Sequence, residues 1–105
     1  MTRKDIVDII AETMRSVAPD AETILYGSEA RGTARPDSDI DLLVLLPDTF
    51  DGMNYVRRRS EISGRLYELS LSSEVEISSL ILPRRVWESR RTPFTVNVLN
   101  DGIRL

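Results

Sequence analysis

The sequence predicts an α/β domain in which a small β-sheet is faced by helices. Segments with apolar residues at helical spacing alternate along the chain with short apolar segments typical of strands, and Gly and Pro residues separate them. Elements in this order pack as helices against a sheet. The 105 residues suffice for a single core, so we expect residues 1–105 to form one domain without a second, substrate-binding domain.

The first helix is predicted by a capping pattern, Thr2 followed three residues later by Asp5. Pro19 ends this helix, and the first strand follows at Glu22–Tyr26. The apolar positions that recur at helical spacing are Ile6, Val7, Ile9, Ile10, Met14 and Val17.

The second strand is predicted from Asp39 to Leu46, after a loop over residues 32–38 that contains Gly, Pro and Ser. Pro47 ends it. Beyond Asp41 both of its faces are apolar, which is typical of a strand buried on both sides. We therefore expect it to be central in the sheet.

A long helix is predicted to begin at a cap formed by Asp51, and residues 57–59, all arginine, are interpreted as a solvated face. Its apolar stripe consists of Tyr55, Ile62, Leu66 and Leu69. The third strand is predicted over Glu74–Leu82, with Glu74 and Glu76 on one face.

Two short helices are predicted near the end of the chain. The first lies within Pro83–Arg91 and starts at its proline, with Trp87 as a core residue. The second starts at Thr92-Pro93-Phe94 and ends at residues 100–102.

The composition excludes several classes of chemistry. With no cysteine and no histidine, disulfides, thiolate zinc sites, cysteine nucleophiles and histidine-dependent triads are excluded. A metal would then be a hard cation held by carboxylates, and Mg²⁺ is the commonest such ion. A net charge of -3 argues against broad binding of nucleic acid. With no apolar run for a membrane span and no secretory leader, we expect a cytoplasmic protein.

Asp39 and Asp41 open the second strand and are the candidate metal ligands. Side chains at i and i+2 on a strand share a face, so both carboxylates point the same way. Two carboxylates at this spacing can converge on a pair of cations ~3.5–4 Å apart. Unpaired carboxylates at the head of so apolar a strand are costly without a cation or another partner.

Gly27 and Ser28 follow the first strand and are the candidate phosphate site. The glycine permits a tight turn and close approach to a ligand. Ser28 is expected to begin a short helix. Its hydroxyl and the free N–H groups at the start of that helix can bind an anion. Arg31, within one helical turn, can add a charge-assisted contact.

Two other motifs overlap this segment, but each lacks residues that its function requires. The glycine spacing resembles a P-loop, but Thr33 and Ala34 replace its Lys and Ser/Thr. The aspartate spacing resembles an EF-hand, but Leu42 and Asp48 replace its Gly and Glu. The remaining alternative is an ordinary turn followed by a cluster of strand-entry aspartates.

The complete pattern, Gly-Ser, ten residues and then Asp-x-Asp, resembles the signature of the minimal nucleotidyltransferases, a branch of the DNA polymerase β superfamily. Pro93-Phe94 followed by Asp101-Gly-Ile resembles the family's closing segment. The resemblance implies a small mixed sheet with helices packed on it. It also implies transfer of an NMP, expected to be AMP from ATP, onto an acceptor hydroxyl, with two Mg²⁺ ions held by Asp39, Asp41 and a third carboxylate.

The third carboxylate implied by the resemblance is Glu76, which lies between Val75 and Ile77 where the family typically has an aspartate. The extra methylene leaves open whether Glu76 is a ligand or an exposed strand residue. The family's usual partner is a helical protein of the HEPN type, as in toxin–antitoxin pairs, so we expect such a partner at the C-terminal third. The alternatives are a catalytically weak or inactive partner-binding module, similar to an antitoxin, and nucleotidylation of a small molecule.

Overall fold

The computed structural model describes residues 1–48 and 51–105. In chain order the elements are α1 (Arg3–Val17), β1 (Glu22–Tyr26), α2 (Gly27–Arg31), β2 (Ile40–Leu46), α3 (Gly52–Ser73), β3 (Ile77–Pro83), α4 (Arg84–Glu88), α5 (Pro93–Asp101) and β4 (Ile103–Arg104). The predicted α/β order is confirmed, and the short strand β4 is an addition to it. Within the described ranges no helix combines the length and apolarity that a membrane crossing requires.

The four strands form one mixed sheet in the order β3-β2-β1-β4. The central strand β2 runs antiparallel to β1 and parallel to β3, and β4 pairs antiparallel with the other side of β1. The prediction that the aspartate strand is central is therefore confirmed. Its apolar side chains are buried on both faces of the sheet, as expected for a strand covered on both sides.

The side chains of β2 alternate between two separate cores. Ile40, Leu42, Val44 and Leu46 face α1 and α3, in a core that includes Ile6, Ile10, Met14, Ile62 and Leu66. Leu43 and Leu45 face the opposite side, where they pack with Trp87 of α4 and Val98 of α5. The period of two places Asp41 on this second side, which we call the α4/α5 face.

The third strand begins later than predicted. It starts at Ile77, whereas the sequence placed its start at Glu74. Glu74 instead ends α3 in the left-handed conformation, with φ of 58°. The hydroxyl of Ser70 donates to the Val75 carbonyl and accepts from the Ile77 N–H, so the chain is still held to α3 up to the start of β3.

Side chains of helix α3 also bond to two backbone groups of β3, a strand at the edge of the sheet. The Tyr55 hydroxyl donates a 2.6 Å hydrogen bond to the carbonyl of Ile81, on the other end of β3 from the Ser70–Ile77 contact. Backbone groups of an edge strand that are satisfied in this way are no longer free to pair with another chain.

Candidate active site

The Gly-Ser turn and the aspartate strand meet because β1 and β2 are antiparallel neighbours. Tyr26, the last residue of β1, is paired with Asp41 near the start of β2. Since α2 begins at the next residue, Gly27, the chain leaves β1 directly beside the Asp41 carboxylate. The strand register thus joins two motifs that are separated in the sequence.

The backbone at Gly27 lies close to the carboxylate of Asp41. The φ of Gly27 is 74°, in the left-handed region that disfavours residues with a side chain. A Cβ atom built at this position would lie 2.5 Å from Oδ2 of Asp41. Both the backbone conformation and the space therefore require glycine, and the limit on space comes from the candidate metal ligand Asp41.

Asp39 and Asp41 are close enough for their charges to interact. Asp41 is half-buried and Asp39 is exposed. Burial raises the pKa of Asp41, the charge of Asp39 raises it further, and Arg31 partly offsets both effects. The pair is thus a site of concentrated negative charge, which a cation would stabilise.

Ser28 lies in the first turn of α2, which begins without a side-chain cap. Tyr26 occupies the N-cap position and makes no side-chain hydrogen bond to the helix. Ser28 is half-buried, and its hydroxyl has no hydrogen bond to any residue in ranges 1–48 and 51–105. This end of α2 therefore has polar groups available to a ligand, next to the carboxylates.

Arg31 ends α2 and lies between two acidic groups. Its Nη1 is 3.3 Å from Oδ2 of Asp101, at the end of α5. Burial and the charge of Asp39 raise the pKa of Asp41, and the Arg31 guanidinium offsets part of this rise, so its charge reaches the aspartate pair. The predicted phosphate-binding arginine thus lies at the site, held from the other side by α5.

Glu76 is level with Asp39 in the sheet. Ile40 is paired with Ile77 in the parallel ladder. The Ile40 N–H donates a 2.9 Å hydrogen bond to the Glu76 carbonyl, so the pairing continues to the residues just before the two strands, Asp39 and Glu76. The side chain of Glu76 is exposed. Among the described residues, no three acidic side chains lie close enough together to hold a metal ion. Its role as a third ligand therefore remains a prediction.

The sequence matches the nucleotidyltransferase domain family over residues 7–96, most of its length. The chain belongs to this family of nucleotidyltransferases. The match contains every predicted site residue, from Gly27 to Glu76. No curated protein sequence matches the chain significantly.

Solved structures with the same fold include chains of toxin–antitoxin complexes. One complex contains AMP-PNP (20% identity, TM-score 0.59, covering 98% of this nucleotidyltransferase and 72% of that chain). Another joins a tri-AMPylated HEPN toxin of Shewanella oneidensis to its MNT antitoxin (19% identity, TM-score 0.57, covering 98% and 71%). A third is the MntA–HepT toxin–antitoxin (18% identity, TM-score 0.56, covering 97% and 70%). These matches confirm the predicted polymerase β-like fold.

The structure adds one residue to the site that sequence reasoning missed. The sequence indicates only that Asp101 belongs to the end of the last helix, whereas its carboxylate pairs with Arg31 of the candidate site. No local pattern indicates this contact, because the two residues are 70 positions apart and meet only when α5 packs against α2.

Proposed function

We propose that this nucleotidyltransferase moves an NMP, AMP in the preferred case, from an NTP to a hydroxyl group of a partner protein. The observation that carries the proposal is the contact between Gly27 and Asp41. It brings the turn suited to phosphate binding against the carboxylates suited to metal binding. Phosphoryl transfer needs these two functions in one place.

The proposed metal ligands are Asp39 and Asp41, with Glu76 as a third, and the expected ions are two Mg²⁺. The donor atoms fit such ions, because the chain offers only carboxylate oxygens and no His or Cys ligand. Burial, and after it the charge of Asp39, raises the pKa of Asp41, which fits the same role. Bound Mg²⁺ supplies neutralisation of phosphate charge and acidification of the acceptor hydroxyl.

In the proposed reaction the acceptor oxygen attacks the α-phosphorus of the NTP. A bond forms between that oxygen and phosphorus, the bond to the β-phosphate oxygen breaks, and pyrophosphate leaves. Gly27 and Ser28 hold the departing phosphates through the backbone and hydroxyl groups at the start of α2. Arg31 contributes a positive charge beside them. A carboxylate of the site takes the acceptor's proton.

The proposed partner is a HEPN-type helical protein, which would dock on the α4/α5 face beside the carboxylates. Its proposed docking groove lies between α4 and α5, has a volume of about 170 Å³ and is lined in part by Trp87, Val96 and Leu99. Val96 and Leu99 are 44% and 68% exposed. Arg90 and Arg91 border the groove and make no ion pair with a described residue. This combination suits a helix with an apolar stripe and acidic flanks.

The second candidate is a partner-binding module that has lost turnover. It is favoured by the absence, among the described residues, of three acidic side chains within metal-binding distance of one another. The glutamate at position 76, where the minimal nucleotidyltransferases typically have an aspartate, also favours an inactive module. Against it stand the neighbouring carboxylates of Asp39 and Asp41 beside the Gly27-Ser28 turn, because a site without a cation gains nothing from two adjacent carboxylates.

Intact-mass spectrometry of a mixed reaction tests these proposals. The protein is combined with the product of the adjacent gene, Mg²⁺ and each of the four NTPs, and both proteins are weighed. We expect a nucleotidyl adduct on the partner that is absent with Asp41→Asn. A stable complex without an adduct would favour the inactive module. If neither complex nor adduct forms, a small-molecule acceptor becomes the better hypothesis.

A further inference from the structure

A small pocket lies between α2 and α5, on the same face of the sheet as the Asp41 carboxylate. Its volume is about 170 Å³, and we call it the α2–α5 pocket. Its lining residues include Tyr26, Gly27, Arg31, Phe94, Asn97 and Asp101.

The α2–α5 pocket is continuous with the proposed phosphate site. Gly27, whose backbone lies against Asp41, forms part of the pocket wall, and so does Arg31. A ligand whose phosphates lie at the start of α2 therefore has this pocket as a neighbouring recess. The pocket is smaller than the ~300–1,000 Å³ typical of complete small-molecule sites. It can accordingly take one part of a nucleotide but not all of it.

The aromatic wall of the pocket suits a flat ring. Phe94 is 41% exposed. Its ring is held edge-to-face by Tyr26, with centroids 5.5 Å apart and planes at 87°, and by Trp87, at 6.2 Å and 88°. These two contacts fix the ring while part of its surface remains open. Nucleobases stack on such aromatic surfaces.

The polar wall of the pocket favours one base over the others. The side-chain amide of Asn97 is exposed and has no hydrogen bond to any residue of the described part of the chain. An Asn amide can pair with adenine by accepting from the N6 amine and donating to N7. The Asp101 carboxylate uses one oxygen on Arg31 and keeps acceptor capacity for another amine proton. The same carboxylate would repel a base with a carbonyl oxygen at that position.

We propose that the α2–α5 pocket is the base-recognition site of this nucleotidyltransferase, with Phe94 stacking on an adenine that Asn97 and Asp101 read through its amine edge. The inference rests on the proposed function, because it assumes that an NTP binds at the start of α2. It adds the residues that choose the base, and those residues lie on α5 rather than on the motif.

Calorimetric binding of non-hydrolysable NTP analogues in the presence of Mg²⁺ tests the pocket, with inorganic tripolyphosphate as a probe of the phosphate site alone. The wild-type protein is expected to bind the ATP analogue more tightly than the GTP analogue and more tightly than tripolyphosphate. Asn97→Ala should weaken the ATP analogue about tenfold or more, which is the scale of one bidentate base contact, and should remove the preference over the GTP analogue. Tripolyphosphate affinity should not change.

Asn100→Ala is the matched control, because Asn100 is also an exposed asparagine of α5 but does not line the pocket. It should bind every probe as the wild type does. If Asn97→Ala and Phe94→Ala leave ATP affinity and base preference intact, the base-recognition site is elsewhere and the proposed function stands. If the wild type binds tripolyphosphate and the ATP analogue equally, the pocket is likewise refuted. If it binds neither, the proposed function fails and this inference fails with it.

Discussion

Replacing Gly27 with alanine tests whether the glycine of the motif is required by the backbone alone or also by the Asp41 carboxylate. The chain offers a matched control in Gly32, which has nearly the same backbone conformation. Their φ angles are 74° and 76°. A Cβ atom at Gly32 would meet nothing within 4 Å, whereas one at Gly27 would lie 2.5 Å from Oδ2 of Asp41.

The two substitutions share one cost and differ in another. A left-handed conformation costs a residue with a side chain roughly 1–2 kcal/mol, so both variants should lose about that much stability. If the crowded carboxylate stays in place, Gly27→Ala should lose about 1–3 kcal/mol of stability in addition to this shared cost. If Asp41 rotates away instead, less stability is lost but the carboxylate leaves its position. Displacement by about 1 Å can cost ~10²-fold in rate.

Thermal melting and transfer of α-labelled nucleotide measure these two effects. At about 4–8 °C per kcal/mol for a domain of this size, the melting temperature of each variant should fall measurably. We expect Gly32→Ala to keep most of its Mg²⁺-dependent transfer and Gly27→Ala to lose nearly all of it. Equal activity in the two variants would refute the argument that Gly27 makes room for Asp41.

The remaining predictions concern the carboxylates. Asp41→Asn should abolish nucleotide transfer, and undiminished transfer would refute the metal assignment. Without metal, the same substitution should raise the melting temperature, because the pKa of Asp41 is raised in the folded protein and its ionised form at neutral pH therefore costs stability. Glu76→Gln should cost orders of magnitude in transfer rate if Glu76 is a ligand, whereas Glu74→Gln should have little effect; indifference to both would indicate an exposed residue. The hydrogen bond from Arg84 lowers the pKa of Glu22 below its ordinary value of 4.5. This ion pair therefore stabilises the protein above pH 4.5, and its contribution is lost as the pH falls through the lowered pKa of Glu22. The stability difference between the wild type and Glu22→Gln, followed by melting from neutral to acidic pH, should therefore shrink on acidification, and a constant difference would contradict this account.

Much of the fold could be predicted because its signals are local. The cap at Thr2, the proline ends of the elements and the helical or alternating spacing of apolar residues each act within a few positions of the chain. The two-sided apolar pattern of residues 42–46 placed β2 at the centre of the sheet, as the structure confirms. The start of β3 was misplaced because Glu74 adopts a left-handed conformation that its residue type disfavours.

The sequence by itself determined the two halves of the candidate site. Alternation along the predicted strand placed Asp39 and Asp41 on one face, although β2 begins one residue later than predicted, at Ile40. The glycine at position 27 indicated a tight turn. Only the tertiary structure decided how these halves meet, through the pairing of Tyr26 with Asp41, and which helix closes the site, through the contact of Arg31 with Asp101. The physical reason is distance along the chain. Strand order and helix packing depend on contacts between residues far apart in sequence, whose energies no local pattern encodes.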